Sequence, residues 1–242
     1  MPKYFFNAAK LNGNLINISG DTAHHIVHVL RMKTGDSLVL CDGANTDYFC
    51  EISQISKQSK EHVLTLLVND TQTCITELPF QVTLYQALPK GDKLDLIVQK
   101  CTELGISRIV PVETARSVSR LKDIAKKTER YQRIATAAAG QSMRGIIPNI
   151  ATPIKFEDAV EQIYENETTI VLFEKEKLNS FKHALDSPSK NINIWIGPEG
   201  GFLKEEIEIL CAKKATTASL GARILRTETA AIATMAFISM AF

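Results

Sequence analysis

The order of apolar and polar positions divides the chain into two regions with different periods. In the first, Ser37–Cys41 is a short strand candidate followed by an Asp-Gly hairpin-type turn, and residues 48–55 and 62–68 are further strand candidates. Residues 21–31 instead carry apolar residues at helical spacing. The pattern predicts a small β-barrel-like domain with one short helix over residues 1–73.

A polar segment that ends at Pro79 leads into the second region, which we place at residues 74–242. There, nearly continuous apolar runs alternate with stretches of helical spacing. Strands are predicted at 80–88, 106–112, 168–173 and 191–196, and helices at 90–105, 178–185 and 229–242, with a further long helix that ends near residue 140. Strands that alternate with helices predict an α/β fold with a parallel sheet.

The last predicted helix, residues 229–242, is apolar on nearly every side. Such a helix must be buried, either in its own core or against a second copy of the chain. It is too short to cross a bilayer, and no other stretch has the apolar length of a membrane span. The first residues also lack the apolar run of a signal peptide, so we expect a cytoplasmic protein with no membrane partner.

The net charge is only +1, so any affinity for nucleic acid must come from an uneven placement of charge. Residues 90–155 carry 13 Lys and Arg but 6 Asp and Glu. This basic segment, which includes Lys122, is either a solvated helix face or a phosphate-binding surface, and its excess of cations favours the second. The candidate RNA contacts are Arg31, Lys33, Lys90, Lys93, Lys100, Arg116 and Arg144.

The cysteines and histidines give little support for a metal. The five cysteines are scattered and form no C-x-x-C pair, which favours reduced thiols over a disulfide or zinc framework. His24 and His28 have the i, i+4 spacing of a helical metal pair, but no Glu or Cys accompanies them at ligand spacing. We interpret them as surface or half-buried histidines and expect no metal.

Two glycine-bearing turns near the C-terminus are the strongest candidates for a ligand site. Residues 197–202 and 220–229 each follow a β-like run, so two strand ends would place them side by side. Neither turn has the spacing of the common phosphate-binding loops. Their unobstructed backbone groups and the apolar Leu220, Ile224 and Leu225 suit a flat, neutral base such as adenine. The alternative is that both are ordinary connections between a strand and a helix.

Charged residues crowd the second turn: Arg223, Arg226 and Glu228. An arginine in this position can stabilise an anionic nucleophile or orient a phosphate. Glu228 has an equally simple interpretation as a carboxylate favoured at the start of a helix.

Both turns closely resemble motifs of the knotted SPOUT-class RNA methyltransferases, and specifically of the ribosomal RNA small subunit methyltransferase E family. The matching stretches are Ile-Gly-Pro-Glu-Gly-Gly-Phe at 196–202 and Ser-Leu-Gly-Ala-Arg-Ile-Leu-Arg-Thr-Glu-Thr-Ala at 219–230. Residues 25–35, 99–106 and 139–144 support the resemblance, which spans almost the whole chain.

The resemblance implies a PUA-like RNA-binding β domain followed by a SPOUT α/β domain whose chain forms a trefoil knot. It implies S-adenosylmethionine bound in the knot, a homodimer formed partly by the last helix, and direct methylation of N3 of a uridine in 16S, small-subunit, ribosomal RNA, with the assembled 30S subunit as the expected substrate. Carried over by residue, the cofactor site would contain Leu172, Phe173, Gly197, Pro198, Glu199, Gly200, Gly201, Leu220, Gly221, Arg223, Ile224, Leu225 and Arg226.

For the reaction, we expect Arg226 to stabilise the uracilate and Glu228 or Glu199 to position neighbouring groups. The chain departs from the family pattern at Lys3, where arginine is usual, and at residues 173–176, an atypical first cofactor loop in which Glu174 and Lys175 are not assigned as contacts.

Two other functions stay open at this point. One is a non-catalytic RNA-binding factor for ribosome assembly on the same fold, which would bind no cofactor. The other is an α/β enzyme acting on a small adenine-containing metabolite, which would show no salt-sensitive RNA binding.

Overall fold

The computed structural model describes residues 3–58, 61–120 and 124–242. The chain forms two compact units, Met1–Glu77 with Ala139–Ile147, and Leu78–Ala138 with Pro148–Phe242. The sequence predicts a single boundary after residue 73, whereas the first unit extends to Glu77 and also contains Ala139–Ile147. Lys122 of the basic segment lies outside the described residues.

The carboxylate of Glu77 explains why Ala139–Ile147 belongs to the first unit. It accepts hydrogen bonds from the N–H groups of Gly145 at 2.9 Å and Ile146 at 3.2 Å, and from Nε of Arg144 at 3.2 Å. Contacts between residues so far apart in the chain leave no periodic signal, so sequence patterning could not reveal this segment.

A six-stranded sheet, in the order β1-β4-β5-β6-β3-β2, forms the first unit. Its strands are β1 (Tyr4–Phe5), β2 (Leu11–Asn12), β3 (Leu15–Ile18), β4 (Ser37–Cys41), β5 (Thr46–Gln58) and β6 (Glu61–Thr73). All neighbouring strand pairs are antiparallel except the pair β1 and β4, which is parallel. Apolar side chains of these strands pack into one core, which confirms the predicted β domain.

The short helix predicted in this unit is present. It begins as α1 (Asp21–His24) and continues as a π-helical turn over His25–Val29, with Ala23 and Ile26 in the core. A short 3-10 turn, Ala8–Lys10, precedes β2.

The second unit contains a seven-stranded, fully parallel sheet, which confirms the predicted α/β class. Its strands are β7 (Gln81–Ala87), β8 (Arg108–Glu113), β9 (Asn149–Ile150), β10 (Ile154–Lys155), β11 (Thr168–Leu172), β12 (Asn191–Ile196) and β13 (Thr216–Ala218). They lie in the order β10-β8-β7-β12-β11-β13, with β9 beside β8.

Six helices follow α1 in the described chain. They are α2 (Lys93–Glu103), α3 (Ile124–Gln141), α4 (Phe156–Val160), α5 (Phe181–Ala184), α6 (Lys204–Ala212) and α7 (Thr227–Ala241). The helix predicted at 178–185 shrinks to α5, because Glu176 accepts the N–H groups of Leu178 and Asn179 and holds these residues in a turn. Ser180 then caps α5 through the N–H of His183.

Both faces of the parallel sheet are covered. Ile192 and Ile194 of β12 pack in one core with α2 and α7, whereas Trp195 points to the other face and stacks on Tyr85 with ring centroids 4.4 Å apart. Burial on both faces is the reason why these strands appear as nearly continuous apolar runs in the sequence.

Three strands end at one edge of this sheet. Leu172 of β11 pairs with Ile196 of β12 and with Ala218 of β13. The carboxyl ends of parallel strands are where open α/β sheets bind ligands, so the loops after β11, β12 and β13 define the place to look for a site.

Candidate functional site

A pocket of about 430 Å³ lies at the ends of β11, β12 and β13. All residues that the sequence assigns to a cofactor site line it, so the two glycine turns do lie side by side. The lining also includes Glu174, which the sequence left unassigned, and residues that the sequence assignment missed: Ile196, Ala218, Ser219, Thr227 and Ala230. Their contact with the cofactor, like that of the assigned residues, stays a prediction.

Gly201 allows the first turn to fold tightly against the loop that follows β11. Its φ is +67°, and a Cβ here would lie 3.1 Å from the carboxylate oxygens of Glu174. Its N–H donates to the carbonyl of Pro198 at 2.9 Å, which closes the turn. A larger residue would therefore strain the backbone and displace a wall of the pocket.

Thr227, the first residue of α7, connects both turns to the sheet. Its hydroxyl donates to the carbonyl of Gly197 at 2.8 Å and accepts from Nε2 of Gln86 at 2.9 Å. Gln86 is fully buried in β7, next to Ile196 of β12 in register. Sequence reasoning missed this connection because the two side chains are 141 positions apart.

Arg116, predicted to contact RNA, holds the first glycine turn. Its Nη1 donates to the carbonyl of Gly200 at 2.7 Å. The loop that carries Arg116 is fixed in turn by buried Glu206, which accepts the N–H groups of Ala115 at 2.9 Å and Leu203 at 2.8 Å. Glu206 thus accepts hydrogen bonds at the start of α6, where a carboxylate is favoured.

Lys93 lies between the two acids that we expected to be catalytic. Its ammonium donates to Glu199 at 2.6 Å and lies 3.4 Å from Glu228. The hydrogen bond to Glu199 raises the pKa of Lys93 above its ordinary value. Burial alone would raise the pKa of Glu199, but hydrogen bonds from Lys93 and from backbone N–H groups, including that of Lys90, outweigh it and lower this pKa. Both groups are therefore charged at neutral pH.

Arg226 and Arg223 line the pocket with exposed side chains. Arg226 immediately precedes α7, and within the described chain neither guanidinium has an acidic partner. Glu228 is better shielded, with 14% of its side chain exposed. The lining of the pocket thus includes two arginines without an acidic partner among the described residues, whereas Lys93, which pairs with the lining residue Glu199, is neutralised.

The remaining predicted RNA contacts have different surroundings. Arg31, Lys33 and Lys90 have exposed side chains, whereas Lys100 pairs with Glu103 at 2.9 Å. Arg144 is only 2% exposed and pairs with Glu77. This burial argues against RNA contact at Arg144, because its guanidinium is engaged inside the first unit.

His24 and His28 lie close together, with ring centroids 4.6 Å apart, and His62 lies 4.8 Å from His28. No group of three or more His, Cys, Asp and Glu in the described ranges has the arrangement of a metal site. All five cysteines are free thiols, and only Cys211 is exposed. None of the described helices has both the length and the apolar character needed to cross a membrane.

Two family models match the chain. The RNA methyltransferase domain matches residues 76–239, and the RNA methyltransferase PUA domain matches residues 18–62. The first covers the parallel sheet and the pocket, and the second covers much of the antiparallel sheet.

Individual proteins agree with these models. A ribosomal RNA small subunit methyltransferase E from Bacillus subtilis is 34% identical, over 99% of this chain and 96% of its own. The structure of a Neisseria gonorrhoeae protein of the same name, bound to S-adenosyl methionine, has a TM-score of 0.87 and 26% identity over 100% of this chain and 98% of its own. A methyltransferase structure from Legionella pneumophila, with the bound cofactor SAM, has a TM-score of 0.85 and 28% identity over 99% of this chain and 97% of its own.

The two family models together span both units, and the relatives match over nearly their full length. This protein therefore belongs to the ribosomal RNA small subunit methyltransferase E family.

Proposed function

We propose that this methyltransferase transfers a methyl group from S-adenosylmethionine to N3 of a uridine in small-subunit ribosomal RNA. The observation that carries the proposal is the pocket itself, in which three strand ends bring backbone groups, apolar walls and the unpaired Arg226 together. The bound cofactor of the gonococcal relative supports the choice of methyl donor.

The residues of the pocket fit that cofactor. Its volume, about 430 Å³, lies within the range of small-molecule sites. The missing Cβ at Gly201 leaves room between the first turn and Glu174, and Leu220, Ile224 and Leu225 provide apolar walls for a base. These groups, with Leu172 and Phe173, would hold the cofactor, which supplies an electrophilic methyl group on a sulfonium.

Arg226 would stabilise the negative charge that develops on the uracil ring as its N3 proton leaves. An exposed guanidinium without an acidic partner can donate to an oxygen of the ring, and such donors act strongly where charge develops. Its place directly before α7 keeps it at the rim, where a nucleotide can approach.

Glu199 and Glu228 would act through Lys93. Together they hold its ammonium next to Glu199, which lines the pocket, so the two acids orient a cation and are not themselves free carboxylates. The group that Glu199 and Glu228 would position is therefore the ammonium of Lys93.

The larger assembly is also part of the proposal. Arg31 and Lys33 of the PUA domain are exposed for RNA contact. Phe237 and Met240 of α7 leave apolar surface uncovered, 36% and 87% exposed, which supports a homodimer through this helix. We infer a trefoil knot at the two adjacent turns, and a cytoplasmic location, from the family.

The decisive experiment incubates the protein with labelled S-adenosylmethionine and unmodified small subunits, followed by nucleoside analysis. Label in N3-methyluridine is the expected result. Cofactor binding with label in another nucleoside would correct the target, and binding of RNA without cofactor would indicate an assembly factor. Naked 16S RNA in parallel tells whether the assembled subunit is needed.

A further inference from the structure

A second cavity, of about 230 Å³, lies in the second unit between the loop after β7 and the first turns of α3. It shares no lining residue with the larger pocket. Neither the glycine motifs nor the assigned site residues explain it.

The walls of this cavity carry three cations. Arg130 pairs with Asp95 and lies 3.9 Å from Asp92, and Arg120 pairs with Glu113 at 3.0 Å. The ammonium of Lys127, in contrast, has no acidic partner within the described ranges. A half-buried lysine without a counter-ion, at the wall of a cavity, suits a phosphate group.

Apolar groups also line the cavity, on the same face of α3 as Lys127. Tyr131, Pro89 and Ile124 line it, and Tyr131 is half-buried against the main core. Burial, with the neighbouring Asp95 charge, raises the pKa of Tyr131, so its hydroxyl stays protonated as a hydrogen-bond donor. An aromatic ring beside cations is the usual platform for a base of single-stranded RNA.

One short segment, residues 89–91, lies between the two cavities. Pro89 and Gly91 line the second cavity, while the backbone N–H of Lys90 donates to Glu199 of the first at 3.2 Å. Ser119 donates to the carbonyl of Pro89 at 2.8 Å and fixes this wall. Since three residues span about 10 Å at most, one RNA strand can reach both cavities.

We propose that the second cavity binds the nucleotide next to the methylated uridine, with Lys127 at its phosphate and Tyr131 against its base. The inference rests on the proposed function, because it takes the RNA of that reaction as the ligand. The proposal restricts the RNA-binding role of the basic segment to the residues of α3 that line this cavity, which lie on one side of the helix.

The test compares Lys127→Ala and Tyr131→Leu with Lys182→Ala, an exposed lysine on α5 outside both cavities. The probes are unmodified small subunits for kinetics and a fluorescent hexauridylate for direct binding. We expect Lys127→Ala to raise KM about fivefold with kcat and cofactor affinity unchanged, and to reduce the salt slope of hexauridylate binding by about 1. Tyr131→Leu should weaken hexauridylate binding with an unchanged salt slope, because it removes stacking and no charge.

Equal effects of Lys127→Ala and Lys182→Ala would overturn the subsite, as would unchanged KM and binding in both cavity variants. Thermal unfolding excludes misfolding of the Tyr131 variant, and Lys127 needs no such control at its half-exposed position. Binding of hexauridylate does not depend on catalysis. If the wild-type protein transfers no methyl group, the proposed function is refuted, whereas the subsite can still be tested by hexauridylate binding.

Discussion

Two arginines that the sequence marks as functional, Arg144 of the first unit and Arg226 of the second, have opposite surroundings. Arg144 is buried against Glu77 and holds Ala139–Ile147 in place, whereas Arg226 is exposed at a pocket built from main chain and apolar side chains. Buried Lys3, which donates to Asp47 at 2.8 Å, repeats the first pattern. Arg144 and Lys3 therefore stabilise the fold of the first unit, whereas we propose that Arg226 takes part in the reaction.

The largest expected effect is on stability, at Arg144. Arg144→Ala leaves the Glu77 carboxylate without its cation in a buried place, so we expect the first unit to lose about 3–5 kcal/mol of unfolding free energy. Denaturant unfolding followed by tyrosine fluorescence measures it. Lys33→Ala, at an exposed position, should change stability by less than about 0.5 kcal/mol. Equal stability of both variants would remove the contrast between the two arginines.

Arg226→Ala tests the other side of the comparison. Because it removes a donor to developing charge and no packing, we expect kcat at saturating cofactor to fall about 10²- to 10³-fold while the unfolding temperature stays near wild type. Single-turnover methylation and calorimetry measure these quantities. Arg226→Lys should recover part of the rate, and full activity in Arg226→Ala would refute the assigned role.

Thr227→Val tests whether the pocket depends on its buried polar connection. The change leaves the carbonyl of Gly197 without its hydroxyl donor and leaves Nε2 of Gln86 with the carbonyl of Ala87 as its remaining acceptor. We expect a cost of about 1–3 kcal/mol, shared between stability and cofactor affinity. Thr229→Val on the exposed face of the same helix is the matched control. A similar loss in both variants would mean that helix propensity, and not the connection, sets the effect.

The smallest effect concerns Glu176, in the loop after β11. Hydrogen bonds from the Thr217 hydroxyl, and then from the N–H groups of Leu178 and Asn179, lower its pKa from 4.5 to about 2. Because the folded pKa lies below the unfolded one, its stabilisation is present above pH 4.5 and fades as the pH falls toward 2. Glu176→Gln should therefore lower the unfolding temperature at pH 7, and the difference should shrink in acid. A difference independent of pH would mean that the carboxylate charge plays no part.

The sequence predicts the parts of the molecule in which neighbouring residues act together. The two glycine turns form continuous motifs after strands, and the structure brings both into one pocket. The alternating and continuous apolar runs likewise predict the two sheets, since side-chain direction follows from spacing along the chain.

Partners that are distant in the chain stay hidden in a single sequence. Nothing near Gln86 or Thr227 shows that they meet, and the basic segment does not tell that Arg116 holds Gly200 while Arg144 is buried. A lysine or arginine has the same appearance in the sequence whether it binds a ligand or a carboxylate of its own chain. Only the fold separates these cases.

The placement of Ala139–Ile147 has a consequence for biosynthesis. Chains emerge from the N-terminal end, and domains generally fold as they are completed. The first unit, however, includes a segment that follows β7, α2, β8 and most of α3, so the hydrogen-bond donors to Glu77 are synthesised about 70 residues after it. A nascent chain halted near residue 80 should thus remain sensitive to protease, and a fragment cut after Glu77 should need Ala139–Ile147 attached through a new linker to fold.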